Sequence, residues 1–232
     1  MTEERRAVRS QLDFQSGARA GLTIVPTFLA IFAGFGIAAQ VAEVPAWVAL
    51  GLTITVYAAP AQFAILEVDG RGPTAVLQMI AAGVLINLRF VLMSMTLSHL
   101  FPRRSRAALL TAAQFISASS YLLTFFRSRR GGGDLFAYFV GVALVAFPAA
   151  LAGTGLGLVF GAGLPAALAF GATLFLPVYF ALLLASDVKD GDEVAAVVAG
   201  LGLTPPAELL LPGWGMFLSA LAIGGVLCGV RR

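Results

Sequence analysis

The sequence predicts an all-α protein, a polytopic bundle of membrane helices with about seven apolar segments, some of them discontinuous or re-entrant. Hydrophobic residues make up 59% of the 232 residues and charged residues only 12%, and the mean hydropathy is +0.92. A soluble domain carries roughly 25% charged residues. Several apolar runs also reach the ~20 residues that a helix needs to cross the hydrocarbon core.

The chain divides into a basic N-terminal segment, residues 1–19, which we expect in the cytoplasm, and a single integral membrane domain, residues 20–232. The first apolar run covers residues 20–40. This run is long enough to span a bilayer, and the polar segment before it is longer than the basic region of a usual signal peptide. We therefore interpret it as a membrane segment rather than a signal peptide.

The later apolar runs differ in continuity. Pro60 interrupts the second run, Pro148 the fifth and Pro177 the sixth, and proline breaks the hydrogen-bond pattern of a helix interior. The fourth run is rich in serine. Near the C-terminus, residues 204–213 join a half-length run to the last one, so two half-length helices or one full and one short helix both fit. The runs after the first cover residues 46–66, 74–97, 107–126, 135–161, 165–185, 194–203 and 213–230.

Basic residues cluster in four places: the N-terminal segment and residues 103–106, 127–130 and 231–232. The positive-inside rule puts all four in the cytoplasm, but a simple alternation of spans does not allow this. We therefore expect the second and fourth runs to be re-entrant or discontinuous, with both termini cytoplasmic. Irregular backbone at membrane depth must be surrounded by protein or a water-filled cavity, and in transporters such broken helices often build the substrate site.

Signatures of an enzyme are missing from the sequence. The only histidine, His99, has no cluster of metal-binding side chains near it in the sequence, and neither a Walker A motif nor a strand-associated GxGxxG occurs. We expect no cofactor and no metal. The basic residues flank apolar runs, which indicates contact with the lipid bilayer rather than with nucleic acid. The glycines of residues 153–157 indicate close helix packing, and Cys228 is interpreted as a small packing residue.

Two polar side chains, Asn87 and Arg89, stand inside the third apolar run. A guanidinium near mid-bilayer costs at least ~2.5–3.5 kcal/mol, so such a residue is by default a candidate functional residue. Because they are two residues apart on a helix, Asn87 and Arg89 should point to different sides. Arg89 either faces a cavity or snorkels towards the end of its helix. In a cavity, its charge beside the N-terminus of a half-helix would suit a carboxylate.

Two further groups of polar residues are candidates for substrate binding. Pro60 frees backbone carbonyls at membrane depth, and Gln62 adds an amide nearby; the alternative is a simple kink with Gln62 bonded to a neighbouring helix. In the fourth run, Gln114, Ser117 and Tyr121 follow at intervals of three and four residues and would share one helical face. This stripe either lines a pathway or lies against a partner or lipid headgroups.

The sequence resembles the AzlC family, which comprises bacterial inner-membrane proteins linked to the export of branched-chain amino acids. The resemblance rests on the motifs Gly21…Pro26, Pro60-Ala-Gln62-Phe63, Ile86-Asn87-Leu-Arg89, Met93-Ser94 and Leu100-Phe-Pro102. It implies a multi-pass secondary transporter that exports small, branched-chain amino acids with a small hydrophobic AzlD-like membrane subunit. The alternatives are a non-transporting membrane subunit and a channel for another small metabolite.

The residues expected to bind substrate are polar or helix-breaking residues of the second, third and fourth runs. They are Pro60, Gln62, Asn87, Arg89, Ser117 and Tyr121. The sequence departs from the family pattern at Phe90, where a histidine is common, and at residues 117–120, where relatives often carry an acidic pair. The nearest remaining acidic residue to the broken second run is Glu67.

Overall fold

The computed structural model describes residues 3–68, 75–102, 104–131, 133–188, 190–211 and 215–230. In these ranges every regular element is an α-helix, which confirms the all-α class. The helices are α1 (Glu3–Leu22), α2 (Val25–Val41), α3 (Ala46–Thr55), α4 (Ala59–Glu67), α5 (Ala75–Leu100), α6 (Arg106–Ala113), α7 (Ala118–Arg129), α8 (Leu135–Gly161), α9 (Ala166–Thr173), α10 (Phe175–Asp187), α11 (Gly191–Leu210) and α12 (Gly215–Val230).

Among the described residues, three helices are long and apolar enough to cross a membrane: α5, α8 and the part of α11 from Glu193 to Leu210. A fourth span results if α1 and α2, which are bent by 54° relative to each other, are counted as one. The structure thus supports a multi-pass membrane protein. It does not confirm the expected count of about seven apolar segments.

The helices α1 and α2 run parallel to α8 along its whole length. A Cβ atom at Gly17 would meet the backbone of Tyr138 near the start of α8, and one at Gly153 would lie 2.8 Å from the carbonyl oxygen of Leu29. Further along, Gly157 packs in the same way against the backbone of Ala33. Small residues let membrane helices approach this closely. The expectation that the glycines of residues 153–157 serve helix packing is confirmed for Gly153 and Gly157, whereas a Cβ at Gly155 would meet nothing within 4 Å.

Five polar side chains meet where α8 begins, and we call this end of the bundle the basic end. Arg104 forms an ion pair with Asp134 at 2.6 Å, and Arg127 forms one with Asp13 of α1 at 3.2 Å. The two pairs are linked because Asp13 Oδ2 accepts a 2.7 Å hydrogen bond from the backbone N–H of Asp134, whose carboxylate also accepts one from Ser10. The chain before α6 and the end of α7 therefore lie at the same end of the bundle.

It follows that α6 and α7 form a re-entrant hairpin, which enters and leaves at the basic end. The helix before it, α5, also ends there, because Phe101 packs on Phe136 with ring centroids 5.3 Å apart. The helix after it, α8, begins there. This arrangement brings the basic residues before α6 and those at the end of α7 to the same end of the molecule, because the chain between them does not cross the membrane. The positive-inside rule requires this placement of the basic residues.

The pair α3 and α4 forms a second re-entrant hairpin, which opens at the opposite end. The end of α2 lies beside the end of α8, since a Cβ at Gly161 would be 3.2 Å from the Cα of Ile37. The next full-length helix, α5, runs from this end back to the basic end. The chain between α2 and α5 therefore starts and finishes on one side. Both interruptions expected from the sequence, in the second and fourth runs, are observed.

The breaks of the two hairpins meet near the middle of α8. Tyr57 lies in the break between α3 and α4, and Phe115 in the break between α6 and α7. Both rings contact Phe147, with centroid distances of 5.2 and 5.1 Å. Phe147 is about 18 Å along α8 from its start, at 1.5 Å per residue. Gln114 joins the two breaks, because its amide donates 2.9 Å hydrogen bonds to the carbonyls of Ile54 and Thr55.

Two expectations about prolines are corrected, and one open alternative is decided. The helix α8 continues through Pro148. Of the two arrangements left open near the C-terminus, the structure has one full and one shorter helix, α11 with 20 residues and α12 with 16, because α11 continues through the Pro205–Pro206 pair. The sixth run breaks at Leu174 and not at Pro177. Pro177 falls in the first turn of α10, where its missing N–H removes no helical hydrogen bond. The division expected at residue 19 falls inside α1, which packs on α8.

Candidate functional site

A pocket lies where the two breaks face α5, and we call it the central pocket. Its volume is about 110 Å³. Drug-sized ligands occupy pockets of roughly 300–1,000 Å³, so this one suits a molecule the size of a small metabolite. It is lined by the helices α2, α4, α5, α7 and α10 and by the two breaks, through Thr27, Phe28, Ile31, Phe32, Tyr57, Ala58, Ala59, Pro60, Arg89, Phe90, Ser117, Ala118, Ser119 and Tyr179.

The first polar wall of the central pocket is the N-terminus of α4. The chain reaches this helix through Tyr57, whose φ of 45° is in the left-handed region that non-glycine residues rarely adopt. The N-cap residue is Ala58, which has no side-chain acceptor for the first N–H groups of the helix. A helix N-terminus carries a partial positive charge of roughly half a unit. The N-cap residue of α4 thus gives this N-terminus no side-chain cap.

The second polar wall is the N-terminus of α7. Here Ser117 is the N-cap, and it forms a reciprocal pair with Ser120: the N–H of Ser120 donates to Ser117 Oγ at 3.1 Å, and the N–H of Ser117 donates to Ser120 Oγ at 2.9 Å. This capping box satisfies two donors. Ala118 and Ser119, which both line the central pocket, lie between its two serines. The macrodipoles of α4 and α7 therefore both point their positive ends at one small volume.

The third contribution is Arg89 of α5. It lies about 17 Å from the end of α5 at 1.5 Å per residue, which is too deep for easy snorkelling. Its Nε is buried without a hydrogen-bond partner, and its guanidinium lies 5.0 Å from the ring centroid of Phe90. Both ion pairs of the described part of the chain involve other arginines, Arg104 and Arg127. Arg89 is thus a half-buried cation that forms no ion pair with the described residues, and a charge at this depth is a candidate functional residue.

Tyr57 adds a hydroxyl that sequence reasoning missed. Its side chain is only 2% exposed, its hydroxyl oxygen has no hydrogen-bond partner, and the residue lines the central pocket. The same ring packs on Phe28 and Phe32 of α2, so the pocket combines these donors with an aromatic wall. The one signal in the sequence was the position of Tyr57, three residues before Pro60, in a segment already expected to break.

The structure brings three of the six expected site residues together: Pro60, Arg89 and Ser117 line the central pocket. Gln62 lies outside it. Gln62 is fully buried, and its Nε2 donates a 3.1 Å hydrogen bond to Thr53 Oγ1, which lies 2.9 Å from Thr154 Oγ1 of α8. The amide is thus bonded within the α3–α4–α8 interface, while its Oε1 has no partner. A contact between Gln62 and substrate stays a prediction.

Asn87 and Tyr121 also lie outside the central pocket. Asn87 lines a wider groove of about 770 Å³ on another side of α5, together with Gln114, and we call it the α5 groove. Asn87 and Arg89 thus point to different sides of their helix, as expected. Tyr121 stacks on Phe125 with centroids 5.8 Å apart. The stripe expected on one continuous helix is wrong, because α6 ends at Ala113 and α7 begins only at Ala118, so Gln114 and Ser117 belong to the break.

Metal chemistry has no support in the described part of the chain, where no group of three or more histidine, cysteine or acidic side chains could hold an ion. His99 Nδ1 donates a 2.7 Å hydrogen bond to the carbonyl of Met95, four residues earlier in α5. The side chain of Glu67 lies outside the described residues. The polar lining of the central pocket therefore consists of an arginine, two helix N-termini and side-chain hydroxyls.

These features define a class: an α-helical multi-pass membrane protein with a central pocket between two re-entrant hairpins. The model of the AzlC protein family matches residues 23–164, more than half of the chain, and the chain belongs to the AzlC family. This confirms the resemblance seen in the sequence. The family is associated with branched-chain amino acid transport and is not an enzyme family. No curated protein and no solved structure matches the chain.

The matched residues include all of α2 to α8. These helices build both hairpins and nearly all of the central pocket; of the pocket residues, only Tyr179 of α10 lies beyond the match. The family assignment and the site therefore concern the same part of the molecule. The helices α1 and α9 to α12 lie mainly outside the match.

Proposed function

We propose that this protein is a secondary transporter of the bacterial inner membrane that exports small amino acids, with branched-chain amino acids as its substrates. The observation that carries the proposal is the uncompensated guanidinium of Arg89 between the N-termini of α4 and α7. A substrate carboxylate in the central pocket would supply the missing negative charge and accept hydrogen bonds from these groups. The aromatic wall of Phe28 and Phe32 would then face a branched aliphatic side chain.

The arrangement of the hairpins supports a transport role. Discontinuous helices whose N-termini meet near the bilayer midplane are typical of secondary transporters, where access to a central site alternates between the two sides. The α6–α7 hairpin covers the pocket from the basic end, and the α3–α4 hairpin covers it from the other. By the positive-inside rule the basic end faces the cytoplasm. Movement of one hairpin at a time would open the site to one side only.

We also propose that the protein works with a small hydrophobic AzlD-like subunit. The structural support is α5, because only 6% of its most apolar window is buried inside this chain. Asn87 lines the α5 groove beside that outer surface, and its buried Oδ1 has no partner among the described residues. A transmembrane helix of a second protein would cover this surface. Co-purification after co-expression, lost on Asn87→Leu but kept on Leu110→Ala at another exposed site, would test this contact.

The main test is the binding of leucine to purified Arg89→Gln and Arg89→Lys variants, followed as ligand-dependent thermal stabilisation. We expect Arg89→Gln to lose leucine binding by at least about a hundredfold, since hydrogen bonds to charged groups contribute ~1.5–3 kcal/mol each. Arg89→Lys should also lose most of the affinity, because a lysine cannot replace bidentate guanidinium geometry. The empty Arg89→Gln protein should be as stable as the wild type or more stable, since it no longer buries an unpaired charge.

The matched control is Arg129→Gln, which removes an equal charge from an exposed arginine near the basic end. This variant should bind leucine like the wild type. If Arg89→Gln is stabilised by leucine as strongly as the wild type, or unfolds without ligand, then Arg89 has a structural role and the proposal fails. Export of labelled leucine from proteoliposomes then separates a transporter from a channel: a transporter shows saturable flux and counterflow, and a channel shows neither.

A further inference from the structure

The polar groups that line the central pocket are rich in donors. Arg89 offers a buried Nε–H without a partner, and the break before α4 offers N–H groups without a side-chain cap. Tyr57 offers a buried hydroxyl, also without a partner. None of the residues that line the pocket carries a carboxylate. The ligand that fits this wall is rich in hydrogen-bond acceptors and negatively charged.

An amino acid presents two charged groups to such a site. Its carboxylate is purely an acceptor, whereas its ammonium group has three donors and no acceptor. Near Arg89 and two positive helix ends, the ammonium meets charge of its own sign and finds no anionic partner among the lining residues. Only neutral acceptors, such as the hydroxyls of Thr27 and Ser119, remain for the ammonium. The charges of the pocket therefore favour the carboxylate, and its aromatic wall favours the aliphatic side chain.

We infer that the central pocket binds short branched-chain monocarboxylates through the carboxylate and apolar tail alone, so that its substrates include deaminated compounds such as α-keto acids. The inference rests on the proposed function, because it concerns the same site. It extends that function to a second class of metabolite. In an α-keto acid the ammonium is replaced by a carbonyl oxygen. This oxygen is an acceptor, to which the hydroxyl of Tyr57 would donate a hydrogen bond.

The test is a binding series on the purified protein, with four probes that share one branched tail. Leucine carries both charged groups, isocaproate lacks the amino group, α-ketoisocaproate carries a keto group in its place, and isoamylamine lacks the carboxylate. We expect isocaproate and α-ketoisocaproate to bind at least as tightly as leucine, and isoamylamine to be at least about a hundredfold weaker. The Arg89→Gln variant should no longer bind any of the three carboxylate probes, and Arg129→Gln should bind all three like the wild type.

Each outcome separates this inference from the proposed function. If leucine binds at least about tenfold more tightly than isocaproate, the ammonium is recognised and the inference fails, while the amino acid proposal stands. If both deaminated carboxylates bind and leucine does not, the inference holds and the amino acid proposal fails. If no carboxylate binds, or if isoamylamine binds as well as leucine, both fail.

A second variant tests the hydroxyl directly. Tyr57→Phe removes a hydroxyl that has no partner in the protein, so the empty protein should unfold at the wild-type temperature. The affinity for α-ketoisocaproate should fall about tenfold, as expected for one lost hydrogen bond. Isocaproate, which lacks the keto oxygen, is the matched control and should keep its affinity for the Tyr57→Phe variant. An unchanged affinity for α-ketoisocaproate overturns the role assigned to Tyr57.

Discussion

The two re-entrant hairpins have the same architecture but differ at the point where each second helix begins. The helix α7 caps itself, because Ser117 and Ser120 bond to each other's backbone. The helix α4 follows Ala58, whose side chain cannot cap, and Pro60 in its first turn has no N–H at all. One hairpin has satisfied its own N-terminus and the other has not. Under the proposed function, α4 would supply donors to the substrate carboxylate, whereas α7 would mainly supply its dipole and the shape of the pocket.

The hairpins also differ in how they are held. The α3–α4 hairpin is fixed from inside, by the hydrogen bonds that join Gln62, Thr53 and Thr154 of α8. The α6–α7 hairpin is held at its mouth by the ion pair between Arg127 and the buried Asp13, and at its tip by the hydrogen bonds from Gln114 to the carbonyls of Ile54 and Thr55. The network around Gln62 is fully buried, whereas Gln114 is exposed and Arg127 is partly exposed. Water and salt therefore weaken the contacts of the α6–α7 hairpin more readily.

The largest effect is expected from giving α4 the cap that it lacks. In Ala58→Asp, a carboxylate at the N-cap would accept hydrogen bonds from the first turn of α4 and face Arg89, where we place the substrate carboxylate. The empty protein should become more stable, and leucine affinity should fall by at least about a hundredfold. Thermal shift with and without leucine measures both quantities.

The matched control for this prediction is Ala58→Asn, which has the same shape without the charge. It should reduce leucine affinity much less than Ala58→Asp does. If Ala58→Asp binds leucine normally, then the N-terminus of α4 is not the carboxylate site, and the contrast drawn between the hairpins is wrong.

A smaller effect, on stability, is expected from the interior network. Gln62→Ala removes a buried hydrogen bond to Thr53 and leaves a cavity, so the free energy of unfolding should fall by ~1–3 kcal/mol. Gln62→Met keeps the side-chain volume but removes the hydrogen bond, so it separates the effect of packing from the effect of hydrogen bonding. Gln114→Ala, which removes the exposed amide between the breaks, should cost less than Gln62→Ala. Thermal unfolding in detergent ranks the three variants, and a larger loss for Gln114→Ala would reverse the assignment of the fixed hairpin.

The next largest effect is expected from removing the N-terminal cap of α7. Ser117→Ala removes half of the capping box and should destabilise the protein by about 1 kcal/mol. Leucine affinity should change by less than about threefold, because the donors that we assign to the ligand belong to α4 and Arg89. Ser120→Ala is the control, since it affects the same box from the side away from the pocket. A loss of binding on Ser117→Ala as large as that of Arg89→Gln would make α7 a direct ligand-binding element.

Much of this architecture could be predicted from local chemistry. Pro60 and the serines of residues 117–120 mark the breaks because such residues disfavour a helix interior. The arginine clusters of residues 103–106 and 127–130 both belong on the cytoplasmic side, so the chain between them should not cross the membrane. Helical geometry alone places Asn87 and Arg89 on different sides. In each case the physical cause acts within a few residues of the chain or through a single topological rule.

The remaining features depend on tertiary packing. Pro148 lies in the interior of α8, where close packing on α1 and α2 keeps the helix continuous; nothing in its own sequence distinguishes it from Pro60. The meeting of Pro60, Arg89 and Ser117 requires two hairpins to enter from opposite ends. Tyr57 is recognisable only from its backbone conformation and its unpartnered hydroxyl. Apolar membrane segments also carry little periodicity, because lipid-facing and buried residues are equally hydrophobic.

The smallest effect is expected at the mouth of the α6–α7 hairpin, and it depends on pH. Burial raises the pKa of Asp134, but hydrogen bonds from Arg104, the N–H of Ala137 and Ser10 outweigh this, and the pKa of the carboxyl lies below its ordinary value. A carboxyl with a depressed folded-state pKa stabilises the protein above its unfolded-state pKa, and this stabilisation is lost as the pH falls through the folded-state pKa. Partly exposed ion pairs contribute ~0–1 kcal/mol.

Asp134→Asn should therefore lower the unfolding temperature slightly at neutral pH and have no effect once the pH is below the folded-state pKa of Asp134. The two unfolding curves, measured against pH at low salt, should converge on the acidic side, and added salt should narrow the gap at neutral pH because it screens the pair. Arg104→Gln removes the partner and should give the same convergence. A difference between wild type and Asp134→Asn that persists unchanged at acidic pH would mean that the N-cap hydrogen bond to Ala137, rather than the charge, holds this mouth closed.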